Sequence, residues 1–577
     1  MSAALTLGFA LVAVTALAAM GARRLQLPPS ILLVLVGVVI AFAPDLPRVA
    51  LDPELVLLLF LPPLLYSSGV GMSWRGFRAN LRPIILLAVG CVLFTAATVA
   101  AAGHWLLGLP WAVGFVLGAV VSPPDAVAPM AIARRLAVPE RVLTILEGEG
   151  LVNDATALIL FSFAVEAVES GGRVSVAEAA ASFVLIVVGE LLWGVGVGWA
   201  MLRLRRLARD PQVEIVLALL TPYLAFWPPH ALDGSGVLAT VAAGLYVSWN
   251  GPRFIAPATR LQGYFVWGLV VYLVEGVVFL LTGLETHVVV EGRGAEGWER
   301  LLLASVVVCA VVIVVRFVWV FPATYLPRWL LPRLRARDPA PPWQYPALIG
   351  FTGIRGVVSL AAALSIPLMV ESGGPFPGRN LVLFATFGVI LVTLVGQGAA
   401  LPGVIIWLGL DGAGRAEAGE AKRREIAARI EGVDAVLARL DALEREGAPV
   451  AAVAASRRRH LDRRAQFAGT ADEQVPGNPV ADDAALELRL VEAERLALAQ
   501  LYAQDRIADE VRRRVERELD LEDARVRHAA ESATGNWADA DPAAVRIDGA
   551  GPGSEVNDRE GMDHDRRRRA QRPKPAG

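Results

Sequence analysis

The sequence is poor in charged residues, cysteine and histidine. Charged residues make up 19 % of the 577 residues, and there are only two cysteines and six histidines. Cys91 and Cys309 both fall in apolar runs, so we expect two small buried side chains rather than a disulfide or a metal site. No His or Cys cluster is present, which argues against a transition-metal centre.

Apolar residues, by contrast, are abundant and unevenly placed. They make up 55 % of the chain and dominate residues 1–410, whereas residues 411–577 are dense in Arg, Glu and Asp. A helix of about 20 apolar residues spans a bilayer. The sequence therefore predicts an all-α membrane protein with a transmembrane domain at 1–410. About thirteen spans are predicted, at 3–21, 28–44, 51–69, 82–107, 111–134, 139–168, 176–202, 212–229, 235–249, 258–285, 299–325, 343–371 and 379–408.

The arginines indicate an orientation in the membrane. Loops that follow odd-numbered spans hold eighteen arginines, and loops that follow even-numbered spans hold five. Positively charged loops stay in the cytoplasm. We therefore expect a multi-pass plasma-membrane protein with its N-terminus outside and its C-terminal tail in the cytoplasm.

Two of the predicted spans contain helix-breaking residues in their middles. The fifth contains VVSPPDAVAP at 120–129, and the twelfth contains FTGIRGVVSL at 351–360. Irregular backbone at membrane depth is tolerated where it is buried in protein or lines a cavity. The two spans are seven apart, which predicts repeats of opposite orientation with two broken, crossing helices. Such paired breaks mark the substrate site of many secondary transporters.

Ionisable residues inside the spans are few. Each is expected to have a partner or a role, because a charge in hydrocarbon costs at least about 2.5 kcal/mol. Arg355 is the expected counter-charge of either Glu149 or Asp125, and its fork geometry suits both pairings. Structural roles are expected for Glu275 and Arg316, and a position near a polar cavity is open for Glu147 and Glu190.

The sixth span contains the polar group of GEGLVNDATALILF at 148–161. On a helix Asp154 shares a face with Gly150, which is expected to leave space beside it, and Asn153 adds an amide oxygen. A carboxylate buried away from water has its pKa raised from about 4 towards neutrality. Such a group holds either a proton or a small cation, and that competition is sufficient for exchange. Asp154 is the first choice for this group.

Other classes of function share parts of this pattern. A cation channel would favour repeated pore-lining carbonyls or rings of charge, and none is visible. A transport-dead sensor that signals through the tail, or a transporter of an organic solute, are further alternatives. The cation/proton antiporter is the leading interpretation, with no enzymatic activity and no cofactor.

Four motifs resemble those of sodium/proton exchangers of the cation:proton antiporter-1 family, in its bacterial branch. They are LEGEGLVNDATALILF, SPPDAVAP, GIRGVVSLAAALSIP and FLPPLLYSSGV, and together they cover residues 5 to 410 in the family's order. The resemblance implies a thirteen-span fold with core and dimerisation bundles, a homodimer, and electroneutral exchange of Na⁺ for H⁺.

The same resemblance assigns roles to individual residues, and the expected cation site comprises Asp154, Asn153, Asp125, Glu149 and Pro124. Asp154 corresponds to the ion- and proton-binding carboxylate, Asn153 to its neighbour, Glu149 to the acidic residue of the same motif, Asp125 to the fifth-span Asp and Arg355 to the basic residue of the crossed helices. The sequence departs from the family where hydroxyl residues are replaced by Pro124 and Gly150, and where the third-span Glu is replaced by Ser67 or Ser68. The preference among Na⁺, K⁺ and Li⁺ is therefore left open.

The tail is predicted to be helical at 411–530 and disordered at 531–577. Residues 420–445 place apolar side chains at helical spacing, and residues 480–530 predict one or two further helices. The composition of 531–577 predicts disorder, and its RRRR at 566–569 is a weak signal for anionic lipid. The expected partners are a monovalent cation, a proton and the lipid bilayer, and nucleic acid is not among them.

Overall fold

The computed structural model describes residues 3–25, 28–43, 57–171, 176–208, 210–232, 234–291, 297–370, 373–470, 479–504, 506–507 and 509–534. Within these ranges the regular structure is helical, apart from an isolated bridge between Met369 and Pro375. The chain forms two compact units, residues 1–417 and 418–577.

The helices of the first unit follow the predicted apolar segments. They are α1 (Ala3–Leu25), α2 (Pro29–Ala41), α3 (Leu61–Gly71), α4 (Trp74–Ala79), α5 (Leu81–Leu107), α6 (Trp111–Val121), α7 (Val127–Arg135), α8 (Glu140–Glu169), α9 (Val176–Ala208), α10 (Pro211–His230), α11 (Val237–Phe254), α12 (Pro257–Leu284), α13 (Thr286–Glu291), α14 (Trp298–Leu330), α15 (Pro332–Arg337), α16 (Gln344–Phe351), α17 (Val357–Leu364) and α18 (Arg379–Trp407).

Six stretches of helix in the described part are long and apolar enough to cross a membrane. They comprise α5, α8, α9, α14, α18 and the continuous stretch Pro257–Glu291, while α1, α2, α3 and α6 contain shorter apolar stretches. The predicted segments 111–134 and 343–371 are each a pair of helices separated by irregular backbone. The ninth segment, predicted at 235–249, extends to Phe254 as a helix.

Small residues set the closest approaches between these helices. At the crossing of α2 and α12, a Cβ atom on Gly37 would lie 2.8 Å from the Cα atom of Gly283. Real Cβ atoms do not come that close, so the two backbones touch only because both positions are glycine. Small residues at helix crossings are a common way for membrane helices to gain van der Waals contact.

Glu190 is a structural residue of this bundle. Its carboxylate is 3 % exposed and accepts hydrogen bonds from the backbone N–H groups of Ser235, Gly236 and Leu238 at 2.6, 2.9 and 3.0 Å. These groups lie at the start of α11, where helical N–H groups have no partner within the helix and a negative charge is favourable. Glu190 of α9 therefore caps α11, and it is not among the residues that line the large cavity described below.

The described part of the second unit is helical. Its helices are α19 (Leu410–Arg445), which begins in the first unit, α20 (Val450–Thr470), α21 (Pro479–Ala503) and α22 (Asp509–Thr534). α20 lies inside the predicted helical tail at 411–530, between the two stretches in which helical spacing was recognised. Residues 531–534, predicted to be disordered, belong to α22, and the rest of that predicted segment lies outside the described residues. Val491, Leu498 and Leu519 form a small core between α21 and α22.

The cap provided by Glu190 gives a stability prediction. Glu190→Ala removes the acceptor of three buried N–H groups, and we expect a loss of at least about 2 kcal/mol, since each buried donor left without a partner costs about 1–3 kcal/mol. Thermal unfolding of the purified protein measures this loss. The control is Glu299→Ala, an exposed glutamate at the start of α14. Equal melting temperatures for the two variants would contradict the capping role.

Candidate functional site

Two segments of irregular backbone between helices meet in the first unit, and we call this meeting point the crossing. Residues 122–126 separate α6 from α7, and residues 352–356 separate α16 from α17. The backbone N–H of Asp125 donates to the carbonyl oxygen of Ile354 at 2.7 Å, so the breaks are joined directly. The predicted breaks thus fall at one place in the unit, where four helix ends meet.

Asp125 occupies the positive side of this crossing. Its Oδ1 atom accepts a hydrogen bond from the backbone N–H of Val127 at 2.9 Å, at the start of α7. The carboxylate also lies against Gly356, directly before α17, where any Cβ atom would overlap it. The N-terminal ends of helices carry partial positive charge. One carboxylate therefore compensates two helix ends, and only glycine fits at position 356.

Arg355 occupies the negative side of the crossing. Its Nε atom donates to the carbonyl oxygen of Val121 at 2.9 Å, and further guanidinium N–H groups donate to the carbonyls of Ser122 and Gly353. These carbonyls include the last of α6, which have no partner within that helix. The predicted ion pair of Arg355 with Glu149 or Asp125 is wrong, because among the described residues its donors are taken up by backbone carbonyls.

Glu149 has a different partner, Arg316 of α14. The two side chains form a bidentate ion pair with N–O distances of 2.6 and 2.8 Å, and each is 2 % exposed. Arg316 also donates from Nε to the carbonyl oxygen of Ile349 in α16 at 3.0 Å. A structural role was expected for Arg316, and the pair ties α8, α14 and α16 together.

A cavity of about 500 Å³ lies beside the crossing. Its walls include four carboxylates, three hydroxyl groups and one guanidinium group. They belong to Asp125, Glu147, Asp154, Glu275, Ser67, Ser68, Ser359 and Arg134. Carboxylate and hydroxyl oxygens are ligands suited to hard cations, so the wall chemistry fits a small metal cation better than an apolar ligand.

Asp154 is a carboxylate of the cavity lining that has no protein partner among the described residues. It is partly buried and forms no hydrogen bond or ion pair with any described residue, unlike Asp125, which holds Val127. Its neighbour Asn153 is fully buried and donates from Nδ2 to the carbonyl oxygen of Pro124 at 2.8 Å. Of the five residues predicted to ligate the cation, Pro124, Asp125 and Asp154 line the cavity. Asn153 and Glu149 are not among the lining residues.

Gly150 lines the cavity together with Asp154, as expected of a glycine that leaves space beside this carboxylate. A Cβ atom on Gly150 would lie 2.6 Å from the Cβ atom of Ala126 in the first break. Gly150 therefore allows α8 to pack closely against the break. A side chain at position 150 would collide with this break, whereas glycine leaves the cavity wall beside Asp154 open.

Two cavity residues were not assigned to the site from the sequence. Glu275 of α12 has no hydrogen-bond or ion-pair partner among the described residues, and it lines the same cavity. Ser359 of α17 is 2 % exposed and its hydroxyl has no partner there. The signal for Glu275 was present, since it is the lone acid of an apolar run. Nothing in the sequence distinguishes Ser359 from a packing serine.

Comparison with known proteins identifies the family. The family described as sodium/hydrogen exchanger, transmembrane, matches residues 10–407. The chain belongs to the sodium/hydrogen exchanger family. It is therefore an all-α membrane protein and a Na⁺/H⁺ antiporter, not an enzyme, and the predicted resemblance is confirmed.

Individual relatives agree with this assignment. An uncharacterized Na⁺/H⁺ exchanger of Mycobacterium bovis is 33 % identical over 529 residues, which are 90 % of this chain and 95 % of that protein. A sodium, potassium, lithium and rubidium/H⁺ antiporter of Bacillus subtilis is 34 % identical, over 65 % of this chain and 57 % of its own. The sodium proton antiporter MjNhaP1 of Methanocaldococcus jannaschii has the same fold, with a TM-score of 0.56 at 17 % identity over 70 % of this chain and 98 % of its own.

The buried pair of Glu149 and Arg316 gives a test of its structural role in the exchanger. Arg316→Met leaves a buried carboxylate without a partner, and we expect a loss of about 3–5 kcal/mol in stability. In the double variant Glu149→Leu with Arg316→Met no unpaired charge remains, so part of this loss should be recovered. Thermal unfolding and folded yield measure both, with the exposed Arg253→Met as the control. A double variant at least as unstable as Arg316→Met would contradict a pairwise structural role.

Proposed function

We propose that the chain exchanges Na⁺ for H⁺ across the plasma membrane by alternating access, with Asp154 as the group that binds one or the other. The carrying observation is that Asp154 lines an oxygen-rich cavity beside the breaks and, like Glu275 but unlike Asp125, has no hydrogen bond or ion pair with a described residue. Proton and cation each neutralise one carboxylate charge, so they exclude each other. The exchange would regulate cytoplasmic pH and sodium. K⁺ and Li⁺ stay candidates, since the Bacillus subtilis relative is named for both.

The arrangement of charges supports this division of roles. Asp125 is fixed by Val127 and the start of α17, and Glu149 is neutralised by Arg316. Neither carboxylate is free to change its partner during a transport cycle without disturbing the helix ends it holds. We assign these two residues and Arg355 to the framework of the crossing, and Asp154 to the ion and the proton.

Access to the cavity supports an alternating mechanism. At one end the cavity reaches Arg134 of α7, whose side chain is 57 % exposed and pairs with Glu147 at 3.2 Å. On the other side of Asp154, α8 packs through Leu158 and Phe161 into a core with Leu117, Val120 and Ala362. A site open on one side and sealed by packed side chains on the other is what a transporter presents in one of its two states.

The membrane arrangement belongs to the same proposal. Thirteen spans with repeats of opposite orientation would place α6–α7 and α16–α17 in equivalent positions, as the crossing of their breaks suggests. With the N-terminus outside, the Arg134 end of the cavity would face the cytoplasm, so this state would be inward-facing. A homodimer and a plasma-membrane location are proposed from the family.

The decisive variant is Asp154→Asn. We expect cation-dependent proton movement to fall at least about 100-fold, because an amide neither binds a proton nor offers a charge to the cation. Protein in liposomes with a trapped pH dye receives a proton gradient, and then Na⁺, Li⁺ or K⁺ in turn. The matched control is Glu166→Gln on the same helix, which does not line the cavity. Full activity in a folded Asp154→Asn protein would refute the proposal.

Competition at one carboxylate also predicts a pH dependence. Below the pKa of the binding group, each decrease of one pH unit should raise the cation concentration needed for half-maximal rate about tenfold, because protons compete with the cation. The maximal rate should stay similar. Rates measured over cation concentration at several pH values report this relation. A half-maximal concentration that does not change with pH would indicate separate sites for the cation and the proton.

A further inference from the structure

A second charged cluster lies away from the cavity, around Asp338 in the segment between α15 and α16. Three arginines contact its carboxylate, and they come from α5, α8 and α14. The N–O distances are 3.2 Å for Arg82, 2.7 Å for Arg141 and 2.7 Å for Arg328. Burial alone would raise the pKa of Asp338, but the three arginines hold this pKa below its usual value. One negative charge thus faces three positive charges.

The donors of this cluster are unequally satisfied. Arg328 is 5 % exposed, and its guanidinium donates to the backbone oxygen of Asp338 at 3.1 Å, to the Asp338 carboxylate and to the carbonyl of Thr324. Arg82 donates only from Nη2, to Asp338. Its Nε and Nη1 atoms are buried and have no acceptor among the described residues. A buried donor of a charged group that has no acceptor costs free energy of folding. An acceptor for the Nε and Nη1 atoms of Arg82 would therefore be stabilising.

A small cavity lies beside these arginines. It measures about 40 Å³ and is lined by Arg82, Arg141, Arg328 and Tyr345, together with apolar side chains such as Ile145. A single water molecule needs about 10–15 Å³ by this measure. The cavity therefore has room for a group of several atoms, and its lining carries an excess of positive charge.

We propose that this cavity binds the phosphate group of an anion, carried by a lipid headgroup or by free phosphate. Phosphate oxygens accept charge-assisted hydrogen bonds from arginine N–H groups, and the Nε and Nη1 atoms of Arg82 are two donors without an acceptor among the described residues. Basic pockets between membrane helices on the cytoplasmic side are recurrent sites for acidic headgroups. The bound anion would balance the charge left by Asp338 and hold together α5, α8 and α14.

The inference is independent of ion exchange, so the test measures binding rather than transport. The melting temperature of the purified full chain in detergent is followed while sodium phosphate, phosphatidylglycerol or phosphatidylcholine is added. Ionic strength and Na⁺ concentration are held constant with sodium chloride. We expect phosphatidylglycerol, sodium phosphate or both to raise the melting temperature, and phosphatidylcholine to raise it less than phosphatidylglycerol. A response to the lipid alone identifies a headgroup, and a response to phosphate alone identifies the free ion.

Two arginine variants distinguish binding in the cavity from a general effect of positive surface charge. Arg82→Gln should raise the concentration for half-maximal stabilisation by about tenfold or more, because it removes both free donors. Arg337→Gln, an exposed arginine directly before Asp338, removes the same charge and should leave the response unchanged. If Arg82→Gln does not fold, the partly exposed Arg141→Gln takes its place, with the same expectation. No stabilisation by either anion, or an equal response in the cavity variants and wild type, would overturn the proposal.

Discussion

The fold around the candidate site depends on one constraint, the crossing of two interrupted helices. Each break exposes backbone N–H and carbonyl groups that have no partner within their own helix. Two charged side chains of the breaks satisfy these groups. Asp125 caps α7 and lies against the start of α17, while Arg355 donates to the last carbonyls of α6. Both charged groups therefore interact with backbone groups, whereas the carboxylate of Asp154 has no hydrogen bond or ion pair with a described residue.

The ion pair of Glu149 and Arg316 connects α8 and α14 to α16, which ends at this crossing. A buried ion pair is often no more stabilising than apolar side chains of the same size. Here the arginine has a second task, because its Nε atom satisfies the carbonyl of Ile349 near the end of α16. An apolar pair would leave that carbonyl without this donor. The hydrogen bond from Arg316 to α16, rather than the attraction between the two charges, is thus the reason we give for a charged pair at this place.

The sequence predicted the parts of the site that follow from local patterns. Apolar runs gave the helices, Pro123 and Pro124 marked one break, and Asp125 and Asp154 were placed on elements that do meet at one cavity. The pairings could not be predicted in this way. Glu149 and Arg316 are 167 residues apart, and Arg316 and Arg355 are equally suited to a buried carboxylate in chemistry. Which of them reaches Glu149 is decided by helix packing, as is the contact of Gly150 with Ala126.

The two departures from the family's motifs act together on the ligands available to a cation. Neither Pro124 nor Gly150 has a hydroxyl group, the carbonyl of Pro124 accepts a hydrogen bond from Asn153, and a side chain at position 150 would collide with Ala126. The oxygens left at the cavity wall are those of carboxylates and of serines such as Ser359. Selectivity between ions depends on the number and rigidity of such ligands. If Asp154 binds the cation as proposed, water would complete more of the coordination shell, and we expect weaker discrimination among Na⁺, K⁺ and Li⁺ than a site with both hydroxyls would show.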